Sequence, residues 1–330
     1  MIWLTWRQFR IQAIVASAAL IALAIYLVLL GRQMGQAYTN DIVGCLPSDC
    51  ASARRGFDNT YGVQVALIGA LLLGVPALIG VFWGAPLITR ELEEKTDRLV
   101  WNQSITRVRW LAVKLTLLAL ASMAVTGLYS LLLTWSASRY DQLIGERFGA
   151  LTFASRNIVP VGYAVFAFVL GTVVGLLVRR TLPAMALTLV LFAVIQVVMP
   201  TALRQHLMTP VTSTVKLDAE AMSRADFMGI NARGAQIDGY TMPGAWSLTS
   251  SSQVFNADGT PYTLEQSEQC DQSDPQEGMA CTARQNLHFS YEYQPADRYW
   301  RFQWIELSVF LALSLSLTGF GLWRIRTYSG

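Results

Sequence analysis

The chain has few charged residues and only two histidines. Charged side chains make up 14% of its 330 residues, whereas an average soluble domain has about 25%. This deficit argues against an ordinary soluble enzyme and against a disordered tail. The net charge of +3 is small for this length and the basic residues are scattered, so the composition also argues against a nucleic-acid-binding protein.

The sequence also lacks the short motifs that mark common enzyme chemistries. It contains no G-x-x-x-x-G-K-[ST] loop for cradling phosphates, and no H-E-x-x-H, G-x-S-x-G or G-x-G-x-x-G. We therefore predict a chain that is not an enzyme, that binds no metal or cofactor itself and that draws energy from another polypeptide. A membrane enzyme using external carboxylates is the weaker alternative.

Long apolar runs are what the sequence has in excess. A helix that crosses about 30 Å of hydrocarbon needs about 20 mostly apolar residues, and the backbone polar groups in lipid must be paired internally. Glu306, near the start of the last run, is the only carboxylate within one. The fold class predicted is therefore an all-α integral membrane protein with six spanning helices: Ala13–Leu30, Val63–Ile88, Leu111–Trp135, Ile158–Val178, Pro183–Leu203 and Phe302–Trp323.

The first ten residues combine aromatic and basic side chains, among them Trp3, Trp6, Arg7 and Arg10. This composition predicts a short amphipathic helix in the headgroup layer before the first span. The alternative is an aromatic belt that continues directly into that span.

The distribution of Lys and Arg predicts the orientation. Twelve of the 25 basic residues lie at the termini or in the second–third and fourth–fifth connections. These segments are about threefold denser in basic residues than the opposite loops, so we expect them to be cytoplasmic. The predicted location is the cytoplasmic (plasma) membrane, with several spans and both termini inside.

The four cysteines all lie on the side predicted to be external, where an oxidising environment permits disulfides. The two local pairs, Cys45–Cys50 and Cys270–Cys281, are the most economical of three possible connectivities. A zinc site is the competing interpretation, but the cysteine spacing does not favour it.

One long polar and acidic loop dominates the external part. We predict three regions: 1–203 with five spans, 204–301 as an external cap, and 302–330 with the sixth span and a short tail. Val254–Thr260 reads as a hairpin turn, and Leu287–Tyr293 alternates like a strand. The cap is therefore expected to be small, partly β and closed by a disulfide.

The segment Thr89–Trp110 is the one cytoplasmic connection long enough to contact another protein. Charged pairs four residues apart favour helix there, and Thr96 followed by Asp97 suits a helix start. Leu99 and Trp101 then give a short helix an exposed apolar side. A plain solvated hairpin is the alternative.

Several stretches carry a family resemblance. They are 3–10 (WLTWRQFR), 84–93 (GAPLITRELE), 101–110 (WNQSITRVRW), 179–185 (RRTLPAM) and 295–304 (PADRYWRFQW). With these stretches the chain resembles the permease subunits of type-2 ABC exporters, in particular those common in actinobacteria.

The resemblance implies six helices after an N-terminal connecting helix, and an alternating-access export mechanism. It implies two permease subunits, predicted here as a homodimer, and two cytosolic ABC ATPase subunits that bind ATP and Mg. It also implies a coupling helix at about 91–104 that docks on the ATPase, although many relatives have Gly-Thr where this chain has Lys95-Thr96. The coupling residues are then Glu91, Glu94, Thr96, Asp97, Arg98, Leu99 and Trp101.

Polar residues inside spans tend to face the bundle interior. On this ground the predicted substrate path includes Gln64, Tyr129, Ser130, Tyr163 and Gln196, with ordinary hydrogen bonding between helices as the competing role. Gly171 and Gly175 form a small-xxx-small pair that predicts close helix packing, within or between subunits. The alternative function is a stand-alone membrane receptor or sensor that works through the cap.

Overall fold

The computed structural model describes residues 2–45, 50–93, 106–231, 234–268, 281 and 284–327. The chain forms two compact units. We call the first the membrane unit; it comprises residues 1–144, 150–204 and 301–330. The second, the sheet unit, comprises residues 145–149 and 205–300.

Among the described residues, six helices are long and apolar enough to cross a membrane, which confirms the six predicted spans. The helices are α1 (Ile2–Ala37), α2 (Ala51–Ile79), α3 (Pro86–Glu93), α4 (Arg107–Ser136), α5 (Ser138–Ile144), α6 (Ala150–Ala154), α7 (Val159–Val178), α8 (Thr181–Val198), α9 (Ala219–Ser223), α10 (Leu264–Glu268) and α11 (Tyr299–Arg326). The spanning helices are α1, α2 extended into α3, α4, α7, α8 and α11. The protein is therefore a multi-pass membrane protein.

The N-terminal segment does not form a separate helix. Residues 2–37 make one continuous helix, α1, so the prediction of a distinct interfacial helix is wrong. The reason is local, because no proline or glycine interrupts residues 2–30 and nothing forces a break. At the start of α4, the hydroxyl of Thr106 accepts a hydrogen bond from the backbone N–H of Arg109 and so caps that helix.

Helix α7 is the most enclosed span. In its most apolar stretch 83% of the residues are buried, against 11% in α1 and 22% in α8. The described residues of this unit include two apolar cores. One includes Phe168 of α7 with Trp83 and Trp110, and the other joins α1, α2 and α4 around Leu27.

The π-helical segment Gly80–Gly84 lies between α2 and α3 and allows α7 to approach very closely. A Cβ added to Gly171 would lie 2.2 Å from the carbonyl oxygen of Gly80, and one at Gly175 would lie 2.7 Å from that of Ala85. These distances leave no room for any side chain. The small-xxx-small pair therefore packs within one chain.

In the part of the sheet unit that the structure describes there are six antiparallel strands, β1 (Val211–Lys216), β2 (Phe227–Asn231), β3 (Gly234–Asp238), β4 (Trp246–Ser247), β5 (Ser251–Phe255) and β6 (His288–Gln294). Their order is β1-β6-β5-β3-β2, and β4 pairs with β6. Val211 of β1 pairs with Tyr293 of β6, and Val254 of β5 pairs with Phe289. This arrangement confirms a small β structure in the long loop.

Alternation along β6 builds the core of the sheet unit. Phe289 and Tyr291 are buried, whereas the residues that follow each of them, Ser290 and Glu292, are exposed. A strand with one covered face requires this alternation. Burial raises the pKa of the Tyr291 phenol to about 12. The predicted turn after Val254 is also present, because the backbone N–H of Asn256 donates a hydrogen bond to the carbonyl oxygen of Thr260 across it.

Candidate coupling site and transport path

The segment predicted to form the coupling helix, about 91–104, lies mostly outside the described residues. Helix α3 carries the chain to Glu93, and the description resumes at Thr106. Of the seven predicted coupling residues, Glu91 is described. The other six, Glu94, Thr96, Asp97, Arg98, Leu99 and Trp101, lie outside the described residues, so their role stays a prediction.

Glu91 lies inward rather than on a free surface. Its carboxylate forms an ion pair with the ammonium group of Lys114 on α4, and the two side chains are 13% and 3% exposed. The ammonium also lies 4.5 Å from the ring centroid of Trp110, a cation–π distance. Glu91 therefore ties the end of the second span to the start of the third.

Glu93, which sequence reasoning missed, binds a different helix. One carboxylate oxygen accepts the backbone N–H of Thr181 at 2.9 Å, and the other accepts the Thr181 hydroxyl at 2.7 Å. These two hydrogen bonds lower the pKa of Glu93. The Thr181 hydroxyl oxygen is also 2.9 Å from that of Thr89, which is fully buried.

Thr181 is the first residue of α8, where backbone N–H groups have no partner within the helix. The connection from α7 is only two residues long: Arg179 has a left-handed backbone with φ of 58°, and Arg180 is extended and makes no side-chain cap. Glu93 supplies from another helix the carboxylate that usually caps such a helix start. The sequence signal was weak, because these residues are 88 positions apart.

The five predicted path residues do not converge on one surface. Gln64 is exposed on α2. Tyr129 is buried and donates to the carbonyl oxygen of Ile68 at 2.9 Å. Ser130 is buried and donates to that of Asn157 at 2.7 Å. Both contacts fit the alternative role, in which polar side chains of the spans make ordinary hydrogen bonds to neighbouring helices and connections.

Tyr163 belongs to a buried cluster with two charged residues. Its hydroxyl donates to the carboxylate of Glu306 on α11. The guanidinium of Arg204 donates to both oxygens of the same carboxylate, at 2.9 and 3.2 Å, and lies 4.2 Å from the ring centroid of Phe153. Arg204 was assigned by sequence to the cap, whereas the structure includes it in the membrane unit.

A signal for this cluster existed in the sequence. A carboxylate within an apolar span is costly unless it is paired, and Glu306 was the only such residue. One turn earlier on α11, Gln303 is also fully buried. Its side-chain oxygen accepts the backbone N–H groups of Ile158 and Val159 at 3.3 and 3.2 Å, and so caps the start of α7.

Gln196 lies beside an apolar hollow of about 450 Å³ formed by α2, α6 and α8. The hollow is lined by Leu73, Gly74, Ala77, Ala150, Leu151, Ala154, Leu189, Phe192, Ala193, Gln196, Val197 and Pro200. The side-chain nitrogen of Gln196 is buried there with no hydrogen-bond partner in the described part of the chain. Gln196 therefore brings to the wall of this cavity a side-chain nitrogen that is not used in a hydrogen bond within the described part of the chain.

Cysteine pairing confirms half of the predicted connectivity. Cys45 and Cys50 form a disulfide with their Cα atoms 5.8 Å apart. The pair Cys270–Cys281 includes a residue outside the described part, so that pairing stays a prediction. No group of three or more metal-ligating side chains occurs within the described ranges.

Comparison with protein families gives the class of the molecule. The profile described as "ABC-2 membrane transporter related" matches residues 17–204, more than half of the chain. The chain belongs to this family of ABC-2 transporter membrane proteins. The match supports a transporter permease, and the family is normally non-catalytic. Comparisons with curated proteins and with solved structures gave no match.

Proposed function

We propose that this chain is the permease subunit of an ABC exporter of the actinobacterial type. The observation that carries the proposal is the family match over residues 17–204, which covers all or most of five of the six apolar helices. In the proposed cycle, the permease moves a substrate across the cytoplasmic membrane by alternating access. The apolar helices supply the conduit, and the energy comes from a separate subunit.

The energy source follows from what the sequence lacks. Because the chain has no phosphate-cradling loop, it would bind neither ATP nor Mg, and both would be held by two copies of a cytosolic ABC ATPase. A second permease subunit, in our proposal another copy of this chain, would complete the assembly. A nucleotide can shift the inward–outward equilibrium only if the ATPase contacts the permease differently in the two states.

In the proposed orientation both termini and residues 94–105 are cytoplasmic, and the sheet unit and the Cys45–Cys50 disulfide are outside. The density of Lys and Arg supports this orientation. The disulfide supports it independently, because such bonds persist in oxidising compartments. After mild reduction of intact cells, a membrane-impermeant maleimide should label Cys45 and Cys50, and Cys45→Ser/Cys50→Ser cells provide the background.

The contact with the ATPase would be made by residues 91–104. The ion pair of Glu91 with Lys114 gives this segment a fixed base on α4. The segment itself carries Glu94, Asp97, Arg98, Leu99 and Trp101, a mixture of charges and apolar groups that suits a protein interface. Substrate would pass along the helices that carry Gln64, Tyr129, Ser130, Tyr163 and Gln196.

The experiment is purification of the tagged chain from its own membrane after cross-linking, with identification of bound proteins by mass spectrometry. The expected partner contains the G-x-x-x-x-G-K-[ST] loop and hydrolyses ATP. A variant with residues 94–104 replaced by a Gly-Ser linker of equal length should lose that partner and ATP-driven efflux.

Normal efflux by the linker variant would reject the proposal. The alternative, a stand-alone receptor or sensor, predicts a different result: ligand binding that depends on residues 205–300 and is unchanged when no ATPase is present.

A further inference from the structure

The last turn of α3 faces two different helices with two carboxylates. Glu91 and Glu93 are two residues apart, so their side chains leave an α-helix about 200° apart. Glu91 binds Lys114 on α4, whereas Glu93 binds Thr181 at the start of α8. The end of the second span is therefore held between the third and the fifth.

The contact with α8 is made to backbone as well as to side chain. The N–H of Thr181 is one of the groups that α8 cannot satisfy internally, and Glu93 accepts it at 2.9 Å. Thr89, one turn before Glu93, adds a hydroxyl 2.9 Å from that of Thr181. A displacement of Glu93 would therefore act on the backbone at the start of α8, and not only on the Thr181 side chain.

Glu93 is also the last described residue before residues 94–105. Because the chain is continuous, a displacement of residues 94–105 would reach the described structure through Glu93 on one side and through Thr106 and α4 on the other. Helix α8 follows residues 94–105 in the chain only after α4 and α7. The Glu93–Thr181 contact is a direct route between them.

We propose that Glu93 is a positioning residue that transmits movement of the end of α3 to α8 through Thr181. This inference rests on the proposed function, since it needs an ATPase that displaces the chain after Glu93. It assigns separate tasks to neighbouring carboxylates: Glu91 fixes the end of α3 to α4, and Glu93 moves α8. Losing Glu93 should uncouple α8 without releasing the ATPase.

The test uses the whole complex with its co-purified ATPase, in membrane vesicles. A reporter cysteine, Leu203→Cys, lies on the π-helical continuation of α8, where Leu203 is 51% exposed. Its rate of modification by maleimide is measured with and without ATP plus vanadate. The reporter chain should show an ATP-dependent change in rate, and Glu93→Ala should reduce that change about tenfold while the ATPase still co-purifies.

Two further variants separate transmission from loss of folding. Thr181→Val removes the hydroxyl donor and should reduce the change, whereas Thr181→Ser keeps both donors and should restore it. The matched control is Arg90→Ala, an exposed residue on the same helix, which should leave the change intact. Equal thermal stability of these variants would show that folding is not the cause.

The proposal is overturned if Glu93→Ala and Thr181→Val keep the full ATP-dependent change, or if the reporter chain shows no such change although the ATPase is bound. Failure of any ATPase to co-purify with the unmodified chain is a different result. It would refute the proposed function, and this inference with it.

Discussion

Arg204 and Glu306 pair through two parallel hydrogen bonds although they are 102 positions apart in the chain. The guanidinium is 1% exposed and the carboxylate 0%, and both belong to segments long and apolar enough to span a membrane. The pair therefore joins the end of the fifth span to the start of the sixth. Tyr163 and Phe153 complete the surroundings of the two charges.

Removing one partner of this pair should be more harmful than removing both. Arg204→Ala or Glu306→Gln leaves the other group buried without its partner, which typically costs about 3–5 kcal/mol. The double variant Arg204→Met/Glu306→Leu should lose much less stability, since no buried charge is left. The thermal unfolding midpoint in detergent measures the difference.

The matched control is Arg301→Ala, which removes an exposed arginine close to the start of α11 and should change little. If the double variant were as unstable as the two single ones together, the charges would act independently and the pairing would carry no net interaction.

A charge exchange at Glu91 and Lys114 distinguishes a positioning role from direct contact with the ATPase. Glu91→Lys places two ammonium groups together in a nearly buried position and should abolish co-purification of the ATPase. The exchange Glu91→Lys/Lys114→Glu restores opposite charges and should restore co-purification. Quantitative immunoblotting of the captured ATPase measures the outcome.

If the exchanged pair folds normally but still loses the ATPase, Glu91 contacts the partner directly. Arg90→Ala, which changes an exposed residue on the same helix, serves as the control and should leave co-purification unchanged.

The approach of α7 to the segment Gly80–Gly84 should not tolerate one extra methyl group. Gly171→Ala would place a Cβ 2.2 Å from a backbone carbonyl oxygen, and overpacking of this kind costs about 1–3 kcal/mol or more. Gly74→Ala is the matched control, because nothing lies within 4 Å of its added Cβ.

Gly74 is within α2, so the control should be neutral or stabilise the helix by up to about 1 kcal/mol. Thermal unfolding of the two variants side by side checks the difference. Equal midpoints would contradict the close packing described for α7.

Acidification should weaken the contact between Glu93 and Thr181. The pKa of Glu93 is held below its ordinary value of 4.5 because the two Thr181 hydrogen bonds favour the charged form. Because the pKa is lower in the folded state, the contact stabilises the protein fully above pH 4.5. This stabilisation is lost as the pH falls through the pKa that Glu93 has in the folded state.

Between about pH 6 and pH 3, the unmodified chain should therefore lose more stability than Glu93→Gln, which has no proton to take up. The thermal midpoint across this range measures both. Parallel curves for the two proteins would show that the contact does not depend on the charge of Glu93.

Much of the architecture could be read from the sequence because lipid imposes strict requirements. Six apolar runs of about 20 residues are needed for six spans, and all six were found. The alternation of β6 and the hydroxyl cap at Thr106 are likewise local patterns. Local patterns also explain the error at the N-terminus, where a change of composition at Arg10 was interpreted as a break that the backbone does not make.

The contacts that organise the candidate site are not local. Glu93 and Thr181 are 88 positions apart, and Ser130 meets a backbone carbonyl group of Asn157. The sequence does not single out Thr181 or the carbonyl group of Asn157 as a binding partner, because threonines at helix starts and backbone carbonyl groups occur at many positions. Residue type therefore indicated which side chains were polar, but only the packing of the helices showed what they bind.

The enclosure of α7 has a consequence for how the surrounding bilayer acts on the protein. A helix wrapped by other helices exchanges few contacts with acyl chains, whereas α1 and α8 are largely uncovered along their apolar stretches. A change in bilayer thickness would be felt first by these outer helices, which tilt to match it. Helix α7 would then serve as the fixed axis around which the less covered helices adjust.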